Sequence, residues 1–352
     1  MMFSPYPWHY TLRWPYYYRF PSHRNHTGMP IAPDSHLFYK DKSTHLRLMF
    51  CGDIMVQHQD IPPVLHPTLC ALIKSADFFI GNCEAPLGNH YPDKNIKYGF
   101  SFHMPRRFLE DIIYQTGLDA SKWILSTANN HIGDKGYFAY DQTYDILADM
   151  KITALGRYKE NNLPMNVIET NGMRIGFIAW TEWLNRPIFE NDEGVNRQKH
   201  ILAHDWRQIK NTYQLNYLFG LPHWEYEFQH FPCQKTRSLA RNLINDKGID
   251  FIIGAHTHTL QSIEWFEEGV CAYNLGNFCG FAAAATVKLI PILEVNLSKE
   301  GNNPLHSYKI HYFYQHKIAN QYHIIPLHMV NEKDKVKLLK LMNRLYGRQR
   351  SA

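Results

Sequence analysis

Six short runs of this chain end in residues that can hold a cation or move a proton. They are Gly52-Asp53, Asn82-Cys83-Glu84, Asn129-Asn130-His131 with Asp134 and Gly136 behind it, His223-Trp224-Glu225-Tyr226-Glu227, His256-Thr257-His258, and Asn274-Leu275-Gly276-Asn277. Each member has an ordinary explanation taken alone. Asp53 could cap a helix, Asn130 could be a turn residue, and among 21 histidines a lone His223 carries little weight. Asp134 either orients His131 or caps the helix that follows. The joint pattern says more. Carboxylate, amide oxygen and imidazole together are the ligand mix of a pair of divalent transition metal ions. A bridging carboxylate offsets the repulsion between two cations roughly 3.5–4 Å apart. His256 and His258, two residues apart in an extended segment, would face the same side and reach one centre.

Such residues work only if the fold brings them together, and the runs fall where strands should end. Short apolar runs at 46–51, 77–81, 123–127, 174–180, 217–221, 250–253 and 270–274 read as strands. Between them, apolar residues at three- and four-residue spacing predict helices over 62–76, 105–114, 137–150 and 233–246. This alternation indicates an α/β fold, in which sites form at the carboxyl ends of strands. Residues 1–45 are expected to be an irregular aromatic lead-in, because Pro5, Pro7, Pro15, Pro21, Pro30 and Pro33 oppose regular helix. Residues 46–330 form the main domain. Residues 331–352 carry a basic helix over 332–347, with Val336, Leu338, Leu339, Leu341, Met342 and Leu345 on one broad apolar side.

Composition narrows the function classes. The 352 residues, 45% hydrophobic and 20% charged, are those of a globular domain with a sizeable core. A net charge of +5, with no basic block interleaved with aromatics, argues against nucleic acid and suits an anionic substrate. The six cysteines form no C-x-x-C pair, and Cys51, Cys83 and Cys271 lie in apolar runs, so free buried thiols in a reducing compartment are expected. The apolar run 278–295 is short and broken by Lys288 and Pro291, so no transmembrane segment is expected and a cytoplasmic location is the default.

The runs FCGDIM, GNCEAPLG, ANNHIGDKG, PHWEYEFQHFP, GAHTHTLQSIE and YNLGNF occur in that order between about 46 and 295. Together they resemble the CapA/PgsA family of poly-γ-glutamate capsule proteins, in the calcineurin-like metallophosphoesterase superfamily. The resemblance implies a four-layer αββα sandwich of two mixed β-sheets flanked by helices. It implies two divalent transition metal ions (Mn, Fe or Zn) sharing Glu84, one held by Asp53 and His258, the other by Asn130, His223 and His256. His131 matches the adjacent catalytic histidine, with Asp134 behind it. Asn82, Glu227 and Asn277 are expected to touch substrate or support the ligands. Two positions depart from the pattern. Met55 stands where the superfamily usually has a histidine, and Glu225 where the family often has glycine. The implied activity is metal-dependent hydrolysis of a phosphoester or related bond in an anionic small molecule or polymer. The alternative is a non-catalytic accessory protein that binds an anionic polymer or a capsule-synthesis partner.

Overall fold

A computed structural model describes residues 6–40, 43–56, 60–88, 101–160, 162–186, 194–300 and 304–347. The first five residues of the N-terminal segment and residues 348–352 of the C-terminal one therefore lie outside the described residues. In chain order the strands are β1 (Ser35–Leu37), β2 (Leu46–Ile54), β3 (Val64–Leu65), β4 (Phe78–Cys83), β5 (Trp123–Ser126), β6 (Thr153–Leu155), β7 (Asn166–Thr170), β8 (Met173–Thr181), β9 (Tyr217–His223), β10 (Phe251–Ile253), β11 (Ile263–Trp265), β12 (Val270–Ala272), β13 (Asn277–Cys279), β14 (Leu289–Leu297), β15 (Leu305–Ile318) and β16 (Gln321–Pro326). The helices are α1 (Trp8–Arg19), α2 (Pro67–Lys74), α3 (Arg106–Thr116), α4 (Gly136–Asp149), α5 (Gln198–Leu202), α6 (Trp206–Thr212), α7 (Gln234–Arg241) and α8 (Glu332–Tyr346).

The strands form two mixed sheets, as the α/β sandwich requires. The larger runs β3-β16-β15-β14-β2-β4-β5-β6, with β1 on β15 and β13 on β2; the smaller runs β11-β12-β10-β9-β8-β7. Three apolar clusters make four layers of them. Phe50, Ile80 and Ile124 of the larger sheet meet Phe177, Phe219 and Phe251 of the smaller one between the sheets. The opposite face of the larger sheet, with Met49, Phe79 and Trp123, is covered by Leu69 and Ile73 of α2 and Phe108, Leu109 and Ile112 of α3. Ile178, Leu218 and Ile252 on the outer face of the smaller sheet pack under Ile201 of α5, Trp206 of α6 and Ala240 of α7. Central strands buried on both faces explain why β2 and β9 read as continuous apolar runs rather than alternating ones.

Several expectations need correction. Trp8–Arg19 is helical in spite of Pro15 inside it. A proline in a helix interior costs about 3 kcal/mol, and tertiary packing offsets it here: Tyr10 stacks on Tyr226 with ring centroids 4.6 Å apart, while Trp14 and Tyr18 both pack edge-on against Phe228. Residues 62–66 are not helix, because β3 pairs with β16 and α2 starts only at Pro67, a residue favoured at a helix start. The 233–246 helix ends in one π turn, Asn242–Asp246. The long hairpin β14–β15 lacks a clear strand pattern in the sequence, because the half-exposed His, Lys and Tyr residues of β15 mask its alternation. On α8, Leu338, Leu341, Met342 and Leu345 are buried, whereas Val336 and Leu339 are exposed. All six cysteines are free, with Cys51, Cys83, Cys271 and Cys279 buried. Among the described residues no helix is long and apolar enough to cross a membrane.

One polar knot ties β14 to its neighbours. Glu294, 9% exposed, takes both Nε and Nη2 of Arg47 at 3.0 Å, Nε2 of His311 at 2.7 Å and Nδ2 of Asn296 at 3.0 Å. Burial alone would raise its pKa, but the bonds from His311, Arg47 and Asn296 outweigh it and hold the carboxyl down to about 2. A depressed folded pKa contributes stability above the unfolded value near 4.5, and this is lost as pH falls toward 2. Unfolding free energy should thus drop through that window by about 1–3 kcal/mol, solvent around Arg47 screening part of the full effect, and Glu294→Gln should flatten this acid limb. Coincident pH profiles for the two proteins would refute it.

Candidate metal centre

Strand pairing sets the ligand-bearing residues side by side. In β2, Asp53 lies opposite Asn82 of β4 on one side and Asn277 of β13 on the other. In the smaller sheet β9 ends at His223, which pairs with Thr181 of β8 and bridges to Ala255. The carboxyl ends of both sheets therefore face one region. Two glycines allow the close approach. A Cβ on Gly52 would lie 1.8 Å from the Gly276 carbonyl oxygen, and one on Gly254 would lie 2.0 Å from that of Tyr273.

Two groups of three buried side chains place ligand atoms within 4.8 Å of one another: Glu84, His223 and His256, and Asp53, Glu84 and His258. Glu84 is common to both. In the first group His223 Nε2 lies 2.9 Å from His256 Nδ1, 2.9 Å from Asn130 Oδ1 and 3.3 Å from Glu84 Oε1. In the second, His258 Nδ1 lies 2.8 Å from Asn277 Oδ1, 3.4 Å from Asp53 Oδ2 and 3.9 Å from Glu84 Oε2. Asn82 Nδ2 joins the groups, 2.8 Å from Asp53 Oδ1 and 3.2 Å from His223 Nδ1.

These residues fit a cation. Both carboxylate oxygens of Glu84 are buried without a hydrogen-bond partner, and an uncompensated buried charge is costly. Burial, then the charge of Asp53, pushes the Glu84 carboxyl well up. Burial also lowers His223 to about 3 and drives His256 well down, leaving both as the neutral imidazoles a metal requires. His258 behaves oppositely: against its burial, Glu84 and Asp53 raise it to about 10. Asp53, despite burial, is held low by its hydrogen bond with His258 and the proximity of His223.

The two histidines of the His-x-His run do not share one side of an extended segment. The chain leaves the strand after Ile253, and His256 and His258 both adopt left-handed backbone, at φ 100° and 55°. Their rings, 6.2 Å apart, serve different groups. Glu225 (φ 74°) and Phe228 (φ 58°) are also left-handed, so strained backbone gathers here. A glycine would sit at Glu225 without strain. Its carboxylate turns away from the ligands and accepts from the backbone N–H groups of Tyr226 and Cys233. Met55 is buried and offers no ligand nitrogen.

His131 belongs to neither group. Its Nδ1 lies 2.6 Å from Asp134 Oδ2, which also accepts from the Phe102 N–H at 2.7 Å. The residue before α4 makes no side-chain cap, so Asp134 orients His131 rather than capping the helix. Asn185 Nδ2 is 3.3 Å from His131 Nδ1, and Arg186 Nη1 donates to the Asp134 carbonyl at 3.1 Å. Asn129 donates to the Cys83 carbonyl at 2.7 Å and accepts from the His131 N–H. Asn129 lies in a strand-end run that the sequence marks, whereas Asn185 and Arg186 were missed. Asn185 and Arg186 follow β8, so the strand-end rule applied there would have found them. Glu227 points to the N-terminal segment: its carboxylate accepts from Tyr6 Oη at 2.6 Å and from Trp14 Nε1, and its carbonyl from Tyr10 Oη.

Residues 47–281 match the family model described as bacterial capsule synthesis protein PGA_cap. The chain is 24% identical over 213 residues to the capsule biosynthesis protein CapA of Bacillus anthracis, covering 58% of this chain and 51% of that protein. It thus spans about half the length of that relative. It is 24% identical over 276 residues to the PGA biosynthesis protein CapA of Bacillus subtilis (strain 168), covering 73% and 69%. Similar solved structures include the calcineurin-like phosphoesterase YfkN from Bacillus subtilis, with 14% identity, a TM-score of 0.42 and coverage of 85% of this chain and 98% of that one. A hypothetical protein from Thermus thermophilus has 13% identity, a TM-score of 0.45 and coverage of 76% and 99%.

Proposed function

This chain belongs to the bacterial capsule synthesis protein PGA_cap family, and on that premise we propose that it is a dimetal-dependent hydrolase of a phosphoester or related bond, acting in the synthesis of an anionic capsule polymer. One observation carries the reading: Glu84, buried with neither carboxylate oxygen hydrogen-bonded, belongs to both groups of converging ligand atoms. Asn130, His223 and His256 would hold one divalent ion with Glu84, and Asp53 and His258 the other, with Asn277 beside His258. Mn, Fe or Zn bound there would supply Lewis-acid polarisation of an anionic substrate and acidify water near neutral pH. His131, fixed through Nδ1 by Asp134, keeps Nε2 to give a proton to a leaving oxygen or to steady developing charge. Arg186 and Asn185 would border that leaving group.

The same ligand set is compatible with a second reading, an accessory protein that holds metal without turnover, since it supports metal binding and not catalysis by itself. Metal analysis of the purified chain, coupled to a screen of phosphoesters and γ-glutamyl peptides, tests both. We expect close to two ions per chain, or one if Met55 weakens the Asp53 group, together with turnover of an anionic substrate. No metal, and no uptake of added Mn or Zn, would end the metal-centre reading. Two ions without turnover of any substrate would favour the accessory role.

A further inference from the structure

We infer that Tyr6 is a positioning residue of the metal centre: its phenol links the Glu227 carboxylate to His256 and sets which ring nitrogen His256 turns toward Glu84 and His223. The inference rests on the dimetal reading above. Tyr6 Oη donates to Glu227 Oε1 at 2.6 Å and lies 2.8 Å from His256 Nε2. A hydroxyl has one proton and two lone pairs. With its proton given to Glu227, the oxygen can only accept from His256, so the ring proton belongs on Nε2. The lone pair of His256 is then on Nδ1, the nitrogen that lies 2.9 Å from His223 Nε2.

Metal-binding histidines almost always donate their other N–H to a carboxylate, a carbonyl or water, which fixes tautomer and ring orientation. Here a phenol stands between the carboxylate and the ring. Glu227 is itself held at both ends by α1, through Trp14 Nε1 on the carboxylate and Tyr10 Oη on the carbonyl. His256 needs such support, because its left-handed backbone must be imposed from outside. Of the supporting residues, Tyr6, Tyr10 and Trp14 precede residues 47–281, the stretch that matches the family model. The centre is therefore completed by a segment outside the part that carries the ligands.

The Tyr6 ring packs edge-on against Tyr10, Trp183 and Tyr226, at centroid distances of 5.3, 5.2 and 6.0 Å. Tyr6→Phe thus keeps the packing and deletes only the bridge. The experiment is a cobalt(II) titration of the full chain followed by visible absorption, with wild type, Tyr6→Phe, Glu227→Gln and the double variant. Tyr6→Phe should weaken one of the two ions about 10- to 100-fold, change that ion's absorption bands and leave the other ion alone. Glu227→Gln should have a smaller effect, since its amide oxygen can still accept the Tyr6 proton, and the double variant should be no weaker than Tyr6→Phe alone, because the residues act as one relay. Removing the hydroxyl takes a partner from Glu227 Oε1 and His256 Nε2, so the unfolding midpoint of the chelator-treated protein should fall modestly in Tyr6→Phe. Wild-type affinity and spectrum at both cobalt ions in Tyr6→Phe would overturn the inference. So would equal weakening at both ions, which is the result of a general loss of structure. A wild-type chain that takes up no cobalt would overturn the dimetal reading and this inference with it, and that failure is distinguishable because it appears without any substitution.

Discussion

Glu84→Gln is expected to strip the protein of both ions and at the same time to stabilise the metal-free fold. Glu84 is the one residue common to both ligand groups. His256→Ala should lose the ion of its own group and His258→Ala the ion of the other, but the Glu84 variant should bring metal content from two per chain toward zero. The stability effect has the opposite sign. Burial and Asp53 raise the Glu84 pKa, so the folded state resists its ionisation. A carboxyl with a raised folded pKa costs stability above its unfolded value near 4.5, and the cost disappears below that pH. In chelator at neutral pH the glutamine variant should have the higher denaturant midpoint, and the gain should vanish below about pH 4. Elemental analysis and unfolding in chelator read the two effects separately. Retention of both ions would remove Glu84 from its bridging place, and a lower midpoint in chelator would show that its buried charge is compensated by groups other than a cation.

His131→Ala should keep the metal and lose the reaction. The His131 ring leans on Asp134 and lies outside both ligand groups, so metal content should match wild type. Proton transfer or charge stabilisation by such a group is typically worth ~100- to 10,000-fold in rate, and kcat should fall by that order once a substrate is identified. Asp134→Asn should give a smaller loss, since it leaves the ring in place but removes the charge that orients it. An accessory binder would show no effect of His131→Ala on polymer binding while the metal remained. Loss of metal as complete as in His256→Ala would instead make His131 a ligand.

The strand-end residues Asp53, Glu84, Asn130, His223, His256 and His258 were legible in the chain because α/β order is local. Apolar runs mark strands, and the residue after each run lies at the sheet edge whatever the packing. The same local signal gave α3, α4 and α8, since a stripe at three- and four-residue spacing needs no distant partner. It failed for β15, where exposed and buried residues do not alternate cleanly.

What the tertiary structure alone decided is how the ligands are aimed and what supports them. The resemblance already assigned His256 and His258 to different ions, but that they reach them from left-handed backbone rather than from one side of an extended segment is not encoded in their spacing. Proline content argued against α1, and that helix exists because Tyr226 and Phe228, over 200 residues away, give its aromatic rings a surface to pack on. Tyr6 reaches Glu227 across 221 residues and His256 across 250. Contacts of that separation form only after the chain has folded, so local pattern indicates which residues can bind a cation but not which of them meet, nor what holds them in place.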